Sequence, residues 1–220
     1  MKRIFLLLTS IVYLICFSWP VSATLFDRGN GLIYDSAQNI TWLQNANLAA
    51  TDTFGVSQIL SNGRMSFDTA QVWIAAMNAN DYLGYSDWRL PSAVWAPYDG
   101  PGSYTYGSDG TTQLGYNITT SEMGYMYYVN LGNLEGALTN TGPFINLQTD
   151  NVYWSGTSLQ HPPWTFQFGD GYQNFDDWDS MFNAWACFNG DVAAVPEPAT
   201  MLLLGLGLMG VLGIRRKIQK

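Results

Sequence analysis

The sequence predicts a single α+β domain of short antiparallel strands and two helices, lying between two apolar chain ends. Three observations support this prediction. The central stretch of about 170 residues has the length of one domain with a packed interior. In some segments apolar residues recur at every second position, which is typical of strands, and in others about every 3.6 positions, which is typical of helices. The chain is also rich in aromatic residues, with nine Trp, thirteen Tyr and eleven Phe, each able to bury a large apolar area.

The first predicted element is a β-hairpin between residues 32 and 43. Two short runs of β-branched and aromatic residues, 32–35 and 40–43, favour strands. The polar sequence Ser-Ala-Gln-Asn between them favours a tight turn. The pattern therefore predicts two antiparallel strands.

The first predicted helix covers residues 67–78. It follows Ser66, whose hydroxyl can cap the start, and Asp68 lies in the first turn, where the helix dipole favours a negative charge. Apolar residues recur at helical spacing at Ala70, Trp73, Ile74 and Met77.

The second half of the domain begins with a predicted long loop. Residues 97–120 are rich in Gly, Ser, Tyr, Thr and Asp without an apolar period, and long loops in compact domains often bind ligands. A second helix is predicted over residues 122–131, between a capping Ser121 and a terminating Gly132. Short aromatic and apolar runs predict three late strands, at residues 152–154, 164–168 and 184–186. Helices and antiparallel strands together make an α+β domain.

Residues 1–23 have the three parts of a secretory signal peptide. Lys2 and Arg3 precede an uncharged apolar run over residues 4–17, and small residues follow at 21–23. The alternative, a permanent anchor, is disfavoured because the run is shorter than the roughly 20 residues of a membrane span. The mature protein is therefore expected to begin near Thr24.

The other chain end, residues 193–220, is predicted to include a membrane-spanning helix. Residues 199–214 carry no charge, and as a helix they would extend about 24 Å, marginal for a hydrocarbon core of about 30 Å. Basic residues follow directly at Arg215, Arg216, Lys217 and Lys220. Because basic residues stay on the cytoplasmic side, the tail is expected to anchor the protein transiently in the inner membrane.

The triplet Pro196, Glu197 and Pro198 lies immediately before this apolar stretch. Its two prolines keep the segment extended, so a protease can bind the backbone without unwinding a helix. The triplet, the apolar helix and the Arg-rich end together resemble the PEP-CTERM sorting signal, which exosortase recognises and processes in Gram-negative bacteria. The resemblance implies export to the cell surface or the extracellular matrix. The alternative is an ordinary linker before an ordinary anchor.

The charge of the domain limits its partners. All 17 acidic residues lie between Asp27 and Glu197, together with only three basic ones, so this stretch has a formal charge of −14. The basic residues are Arg28, Arg64 and Arg89. Nucleic acids and anionic lipid surfaces require a basic face and are excluded as partners. Cations, neutral glycans and basic proteins remain.

The sequence contains few groups for catalysis. Once the signal peptide is removed, the mature protein has one cysteine, Cys187, and one histidine, His161, which lies in a stiff His-Pro-Pro segment. One cysteine excludes an internal disulfide. It also cannot supply the cysteine pair that formylglycine-generating chemistry requires. We therefore expect a non-enzymatic domain, and a polysaccharide-acting enzyme with paired carboxylates remains an alternative.

Two sets of residues are candidates for ligand binding. Several carboxylates close in sequence suit Ca²⁺, although their spacing is not that of an EF-hand, and a solvated acidic loop is the alternative. These carboxylates are Asp170, Asp176, Asp177 and Asp179. Tyrosine rings in a Gly-rich loop suit stacking on sugars, and the alternative is that they pack on the core. These tyrosines are Tyr98, Tyr104, Tyr106 and Tyr116.

Three segments resemble motifs of the Lcl C-terminal domain family, named for a bacterial collagen-like adhesin. The segments are residues 83–92, 153–157 and 183–186, and the resemblance covers the domain from residue 24 to 192. It implies a C-type-lectin-like or formylglycine-generating-enzyme-like fold. The sequence departs from the family at Cys187 and Phe188, where a small residue and an arginine are expected.

The first of these segments contains the sequence Trp-Arg-Leu-Pro at residues 88–91. Its residue types predict a structural role, with a buried Trp88, an Arg89 paired to an acidic neighbour, and a Pro91 that fixes the exit of a loop. Direct contact with a ligand is the alternative.

These observations predict an exported surface or matrix protein whose domain binds a partner without catalysis, through glycan binding or adhesion. Its processing partners would be signal peptidase and exosortase, and its ligand would be extracellular polysaccharide. A purely structural matrix component is a further alternative. No cofactor is expected apart from the candidate Ca²⁺.

Overall fold

The computed structural model describes residues 25–93, 106–107, 114–157 and 162–192, with the backbone alone for residues 106–107. These residues form two β-sheets and short helices around one hydrophobic core, which confirms the predicted α+β class. The strands are β1 (Leu25–Gly29), β2 (Leu32–Asp35), β3 (Ile40–Leu43), β4 (Tyr106–Gly107), β5 (Leu114–Gly115), β6 (Val152–Trp154), β7 (Trp164–Gln167), β8 (Tyr172–Phe175) and β9 (Cys187–Asn189). The helices are α1 (Phe67–Ala79) and α2 (Glu122–Tyr125), with 3₁₀ turns at Leu48–Ala50 and Tyr82–Gly84 and a π-helical turn at Met126–Asn130.

The first sheet has the strand order β1-β2-β3-β9, and all neighbouring strands are antiparallel. The predicted hairpin is confirmed, because β2 and β3 pair over their whole lengths. The buried Asp35 carboxylate accepts hydrogen bonds from the backbone N–H groups of Ala37 (3.0 Å) and Gln38 (3.2 Å) in the turn. It also accepts one from Nδ2 of Asn130, which ties the turn to the π-helical turn.

The second sheet has the order β4-β5-β8-β7-β6, and its strands β6, β7 and β8 form an antiparallel meander. The strands predicted at residues 152–154 and 164–168 are confirmed as β6 and β7. The strand predicted at residues 184–186 is wrong, because these residues are buried coil and the pairing with β3 begins only at Cys187. Their apolar composition reflects packing in the core, where the ring of Trp185 lies 4.7 Å from that of Trp42.

Both predicted helices are confirmed, with one change in the second. In α1, the Ser66 hydroxyl accepts a hydrogen bond from the Thr69 N–H at 3.3 Å, as a capping residue does. The second helix begins after Ser121 as predicted, but only its first turn is α-helical and the rest is the π-helical turn. Gly132 follows with a φ of +66°, the left-handed conformation that ends a helix.

The core is dominated by aromatic rings around Trp185. Phe144 lies 4.8 Å from this ring and Phe168 lies 5.5 Å from it, both with edge-to-face geometry. The Trp185 indole N–H donates to the backbone carbonyl of Leu43 at 2.6 Å, so the polar atom of this buried residue is satisfied. Residues of β3, β6, β7 and β9 therefore share one packed interior.

The domain closes with an ion pair at its C-terminal edge. Arg28 of β1 donates from Nε and Nη2 to the two carboxylate oxygens of Asp191, at 2.8 and 2.6 Å. The guanidinium also lies 5.0 Å from the ring of Phe26 and 5.1 Å from that of Tyr34. Val192, the last residue described, is only 5% exposed. The packing and ion-pair contacts of the domain therefore extend to Val192, the residue before the predicted tail.

The two chain ends predicted from sequence, the signal peptide at residues 1–23 and the sorting tail at residues 193–220, lie outside the described residues. Within the described part of the chain, no helix has the length and apolarity needed to cross a membrane. Most of the predicted loop at residues 97–120 also lies outside, and the part that is described contains β5 and the backbone of β4.

Gly171→Ala should destabilise the fold more than Gly136→Ala. Both glycines have positive φ, +86° and +88°, so both substitutions carry the same backbone cost of about 1 kcal/mol. A Cβ at residue 171 would lie 2.6 Å from Cε1 of Tyr127, whereas one at residue 136 would meet nothing within 4 Å. We expect a further loss of about 1–3 kcal/mol for Gly171→Ala, measured by urea unfolding. Equal losses would contradict the packing described here.

Candidate functional site

The segment from Trp88 to Ser92 joins four parts of the fold. The backbone of Trp88 exchanges hydrogen bonds with the side-chain amide of Asn78 in α1, at 2.8 and 2.9 Å. The backbone of Arg89 pairs with that of Cys187 in β9, at 2.8 and 2.9 Å. The Pro91 carbonyl accepts hydrogen bonds from the loop after β6. The Ser92 carbonyl accepts one from the start of α2. The segment therefore holds α1, α2 and both sheets together.

Arg89 forms a bidentate ion pair with Glu122. Its Nη1 and Nη2 donate to the two carboxylate oxygens of Glu122 at 2.7 and 2.8 Å, and the two side chains are 29% and 16% exposed. The Arg89 Nε donates to Oδ1 of Asn189 at 3.1 Å, and the Ser92 N–H donates to Glu122 at 2.7 Å. The prediction that Arg89 pairs with an acidic neighbour is therefore confirmed, as is the burial of Trp88.

The buried side chain of Cys187 contacts Arg89 of this ion pair. Its Sγ accepts a hydrogen bond from Nη1 of Arg89 at 3.3 Å, and the thiol is fully buried and free. Burial raises the pKa of the Cys187 thiol far above its ordinary value, an effect that the nearby Arg89 charge only partly offsets. Because the thiolate is the nucleophilic form, this cysteine is suited to packing rather than to attack on a substrate.

A cleft of 550 Å³ opens beside the ion pair. The residues that line it come from α1, the Trp88–Ser92 segment, the start of α2, strand β9 and the loop that follows β6. They are Gln71, Ile74, Trp88, Arg89, Leu90, Ser92, Glu122, Gly156, Thr157 and Asn189. Polar side chains from separate elements therefore converge on one cavity, which is a general property of ligand sites.

The structure places one predicted tyrosine beside one predicted aspartate. The Tyr116 hydroxyl donates to Oδ2 of Asp170 at 3.4 Å, and its ring packs edge-to-face on Tyr172 at 5.0 Å. Tyr98 and Tyr104 lie outside the described residues, and for Tyr106 only the backbone is described. We call Tyr116, Asp170 and Tyr172 the tyrosine–aspartate surface.

The four predicted calcium ligands do not meet at one point. Asp170 lies in the β7–β8 turn, where its Oδ1 accepts a hydrogen bond from the Tyr172 N–H at 3.0 Å. Asp176 accepts bonds from the Asp177 N–H and the Ser180 hydroxyl, and both Asp177 and Asp179 are exposed. Among the residues that the structure describes, no group of three or more acidic, histidine or cysteine side chains could hold a metal ion.

Sequence reasoning did not identify the residues that complete the cleft, Gln71, Ser92, Glu122 and Asn189. Glu122 had one usable signal, because Arg89 needed an acidic partner and the mature domain contains only two glutamates, Glu122 and Glu135. Gln71 and Asn189 are exposed polar residues without a distinguishing pattern.

Comparison with protein families supports the prediction for the chain end. A family model described as the PEP-CTERM protein-sorting motif matches residues 194–217, which confirms the predicted sorting signal. The motif supports an exported protein that exosortase processes. Comparisons with curated proteins and with solved structures gave no match. The resemblance to the Lcl C-terminal domain family, and the lectin-like fold that it implies, stay predictions.

Glu122→Gln should destabilise the domain more than Asp191→Asn. Both substitutions replace a carboxylate by an amide of similar shape, and each carboxylate is paired to one arginine. Glu122 is 16% exposed and also accepts a hydrogen bond from the Ser92 N–H, whereas Asp191 is 37% exposed, so Glu122→Gln removes the charge of the more buried carboxylate. We expect losses of about 1–3 kcal/mol for Glu122→Gln and less than about 1 kcal/mol for Asp191→Asn, by urea unfolding. A larger loss for Asp191→Asn would refute this ranking.

Proposed function

We propose that this chain is a surface or extracellular-matrix protein, sorted by exosortase, whose folded domain binds a neutral glycan without catalysis. The observation that carries the proposal is the sorting motif at residues 194–217, which begins two positions after Val192, the last residue described and a buried one. A protein delivered in this way would work outside the cytoplasm, where it can meet extracellular polysaccharide.

The charge of the domain supports a neutral ligand. The formal charge of −14 between residues 27 and 197 opposes anionic partners. Two of the three arginines in this stretch, Arg28 and Arg89, are already paired with carboxylates. The tyrosine–aspartate surface offers what a neutral sugar requires, because aromatic faces stack on the apolar face of the ring and a carboxylate accepts bonds from its hydroxyl groups.

The arrangement of reactive groups supports binding rather than catalysis. A glycosidase needs two carboxylates facing each other across the scissile bond, at separations of roughly 5–10 Å. The described lining of the 550 Å³ cleft includes a single carboxylate, Glu122, and that one is engaged by Arg89. The Cys187 thiol is buried. These features favour a binding module over a polysaccharide-acting enzyme.

The first test concerns the tail. Mass spectrometry of protein released from the host's surface should give a C-terminus near Pro196, because the triplet offers an extended substrate before the membrane span. Replacing Pro196 and Pro198 by alanine should leave the tail attached, whereas replacing Ala193, which precedes the matched motif, by serine should not. Recovery of Arg215 to Lys220 on the released wild-type protein would contradict the sorting role.

The second test concerns the ligand. The mature protein should be retained on a column of the host's own neutral extracellular polysaccharide, and retention should change little between low and physiological salt, since a neutral ligand is not screened. Tyr116→Ala should weaken retention because it removes the ring of a half-buried tyrosine from the tyrosine–aspartate surface, while Val129→Ala, which alters an exposed side chain elsewhere, should not. Failure of the wild-type protein to be retained would refute glycan binding.

A further inference from the structure

The cleft beside Arg89 has the size of a site for a small ligand. Its volume of 550 Å³ lies within the range of about 300–1,000 Å³ that is usual for ligand pockets. Its floor contains the apolar side chains of Ile74 and Leu90, and its rim contains exposed polar side chains. It therefore combines apolar contact with hydrogen bonding, as sugar sites do.

The charges in the cleft cancel each other. The Arg89 guanidinium directs its N–H groups to the two carboxylate oxygens of Glu122, to Oδ1 of Asn189 and to the Leu90 carbonyl. No N–H group of Arg89 is therefore left for an anion. The Glu122 charge is in turn matched by Arg89 and by the Ser92 N–H. An anionic ligand would find no uncompensated cation on the described wall, inside a domain that is strongly acidic.

Three neutral groups around the ion pair retain hydrogen-bonding capacity. In the described part of the chain, the Gln71 side-chain amide, the Ser92 hydroxyl and Nδ2 of Asn189 make no hydrogen bond. All three residues are exposed and line the cleft. Arg89 fixes Asn189 through Oδ1, so its Nδ2 donor is held in place before a ligand arrives. Pre-positioned groups bind at a lower entropic cost.

We infer that this cleft binds one neutral sugar unit, with Gln71, Ser92 and Asn189 as its hydrogen-bonding partners. Hydroxyl groups of a sugar both donate and accept, and amide and hydroxyl side chains do the same. The inference rests on the proposed glycan-binding function and adds a specific contact to it, besides the tyrosine–aspartate surface. The Arg89–Glu122 pair acts here as a positioning element that keeps the wall rigid and neutral.

The test is a titration of isotope-labelled mature protein, followed by nuclear magnetic resonance. The probes are D-glucose, D-galactose and D-mannose, with D-glucuronate as the anionic counterpart of glucose. At least one neutral sugar should shift the side-chain amide signals of Gln71 and Asn189, with a dissociation constant in the range of about 1 mM for so few contacts. Glucuronate should bind several-fold more weakly than glucose.

The matched variants are Gln71→Ala with Ser92→Ala, and the control Val72→Ala. The double variant removes two hydrogen-bonding groups and should weaken sugar binding about tenfold, while its melting temperature stays unchanged because neither side chain bonds within the described domain. Val72 is 55% exposed beside Gln71 in α1 but does not line the cleft, so its replacement should leave the affinity unchanged.

The outcomes separate the two proposals. If no neutral sugar shifts the Gln71 and Asn189 amides, or if glucuronate binds as tightly as glucose, the cleft assignment is overturned. If the polysaccharide column still retains the protein in that case, glycan binding stands and lies on another surface. If the column does not retain the protein, the proposed function fails as well.

Discussion

The ion pair between Arg89 and Glu122 is the interaction on which the arrangement of the rest depends. Arg89 pairs through its backbone with β9, and through its side chain with the start of α2 and with Asn189. Its neighbours in the segment connect α1 and the loop after β6. A charge in such partly dry surroundings is tolerated only when it is paired and hydrogen-bonded. The folded state therefore requires these elements to meet in one geometry, which also shapes the cleft.

Much of the fold was predictable because its signals are local. The turn after Asp35 and the cap at Ser66 are determined by residues a few positions apart, and the sorting signal is a linear peptide pattern. The polar strand β8 was not predictable, because it is a strand only through its pairing with β7. The strand at residues 184–186 was predicted wrongly for a related reason. These residues are apolar because they are buried in the core, and the strand begins only at Cys187. The partner of Arg89 lies 33 residues away, and no local pattern marks it.

The domain uses its few arginines as long-range ties. Arg89 reaches across 33 residues to Glu122, and Arg28 reaches across 163 residues to Asp191. In a domain without an internal disulfide, such ties fasten segments that the sequence keeps far apart. The domain has many carboxylates, and a backbone hydrogen bond from Glu122 to the Ser92 carbonyl helps to bring the Glu122 carboxylate to Arg89. Exposed carboxylates such as those of Asp177 and Asp179 keep the surface hydrated and repel anions.

The Arg28–Asp191 pair also links the first strand of the domain to the segment just after its last strand. Asp191 lies just beyond β9, and Arg28 belongs to β1, which is the opposite edge of the sheet ordered β1-β2-β3-β9. Tension applied through the tail therefore reaches β1 through the ion pair at the same time as it reaches β9 through the chain. The ion pair would therefore carry part of such a load beside the backbone hydrogen bonds between β9 and β3. High ionic strength weakens exposed ion pairs, so the resistance of the domain to pulling should fall as salt rises.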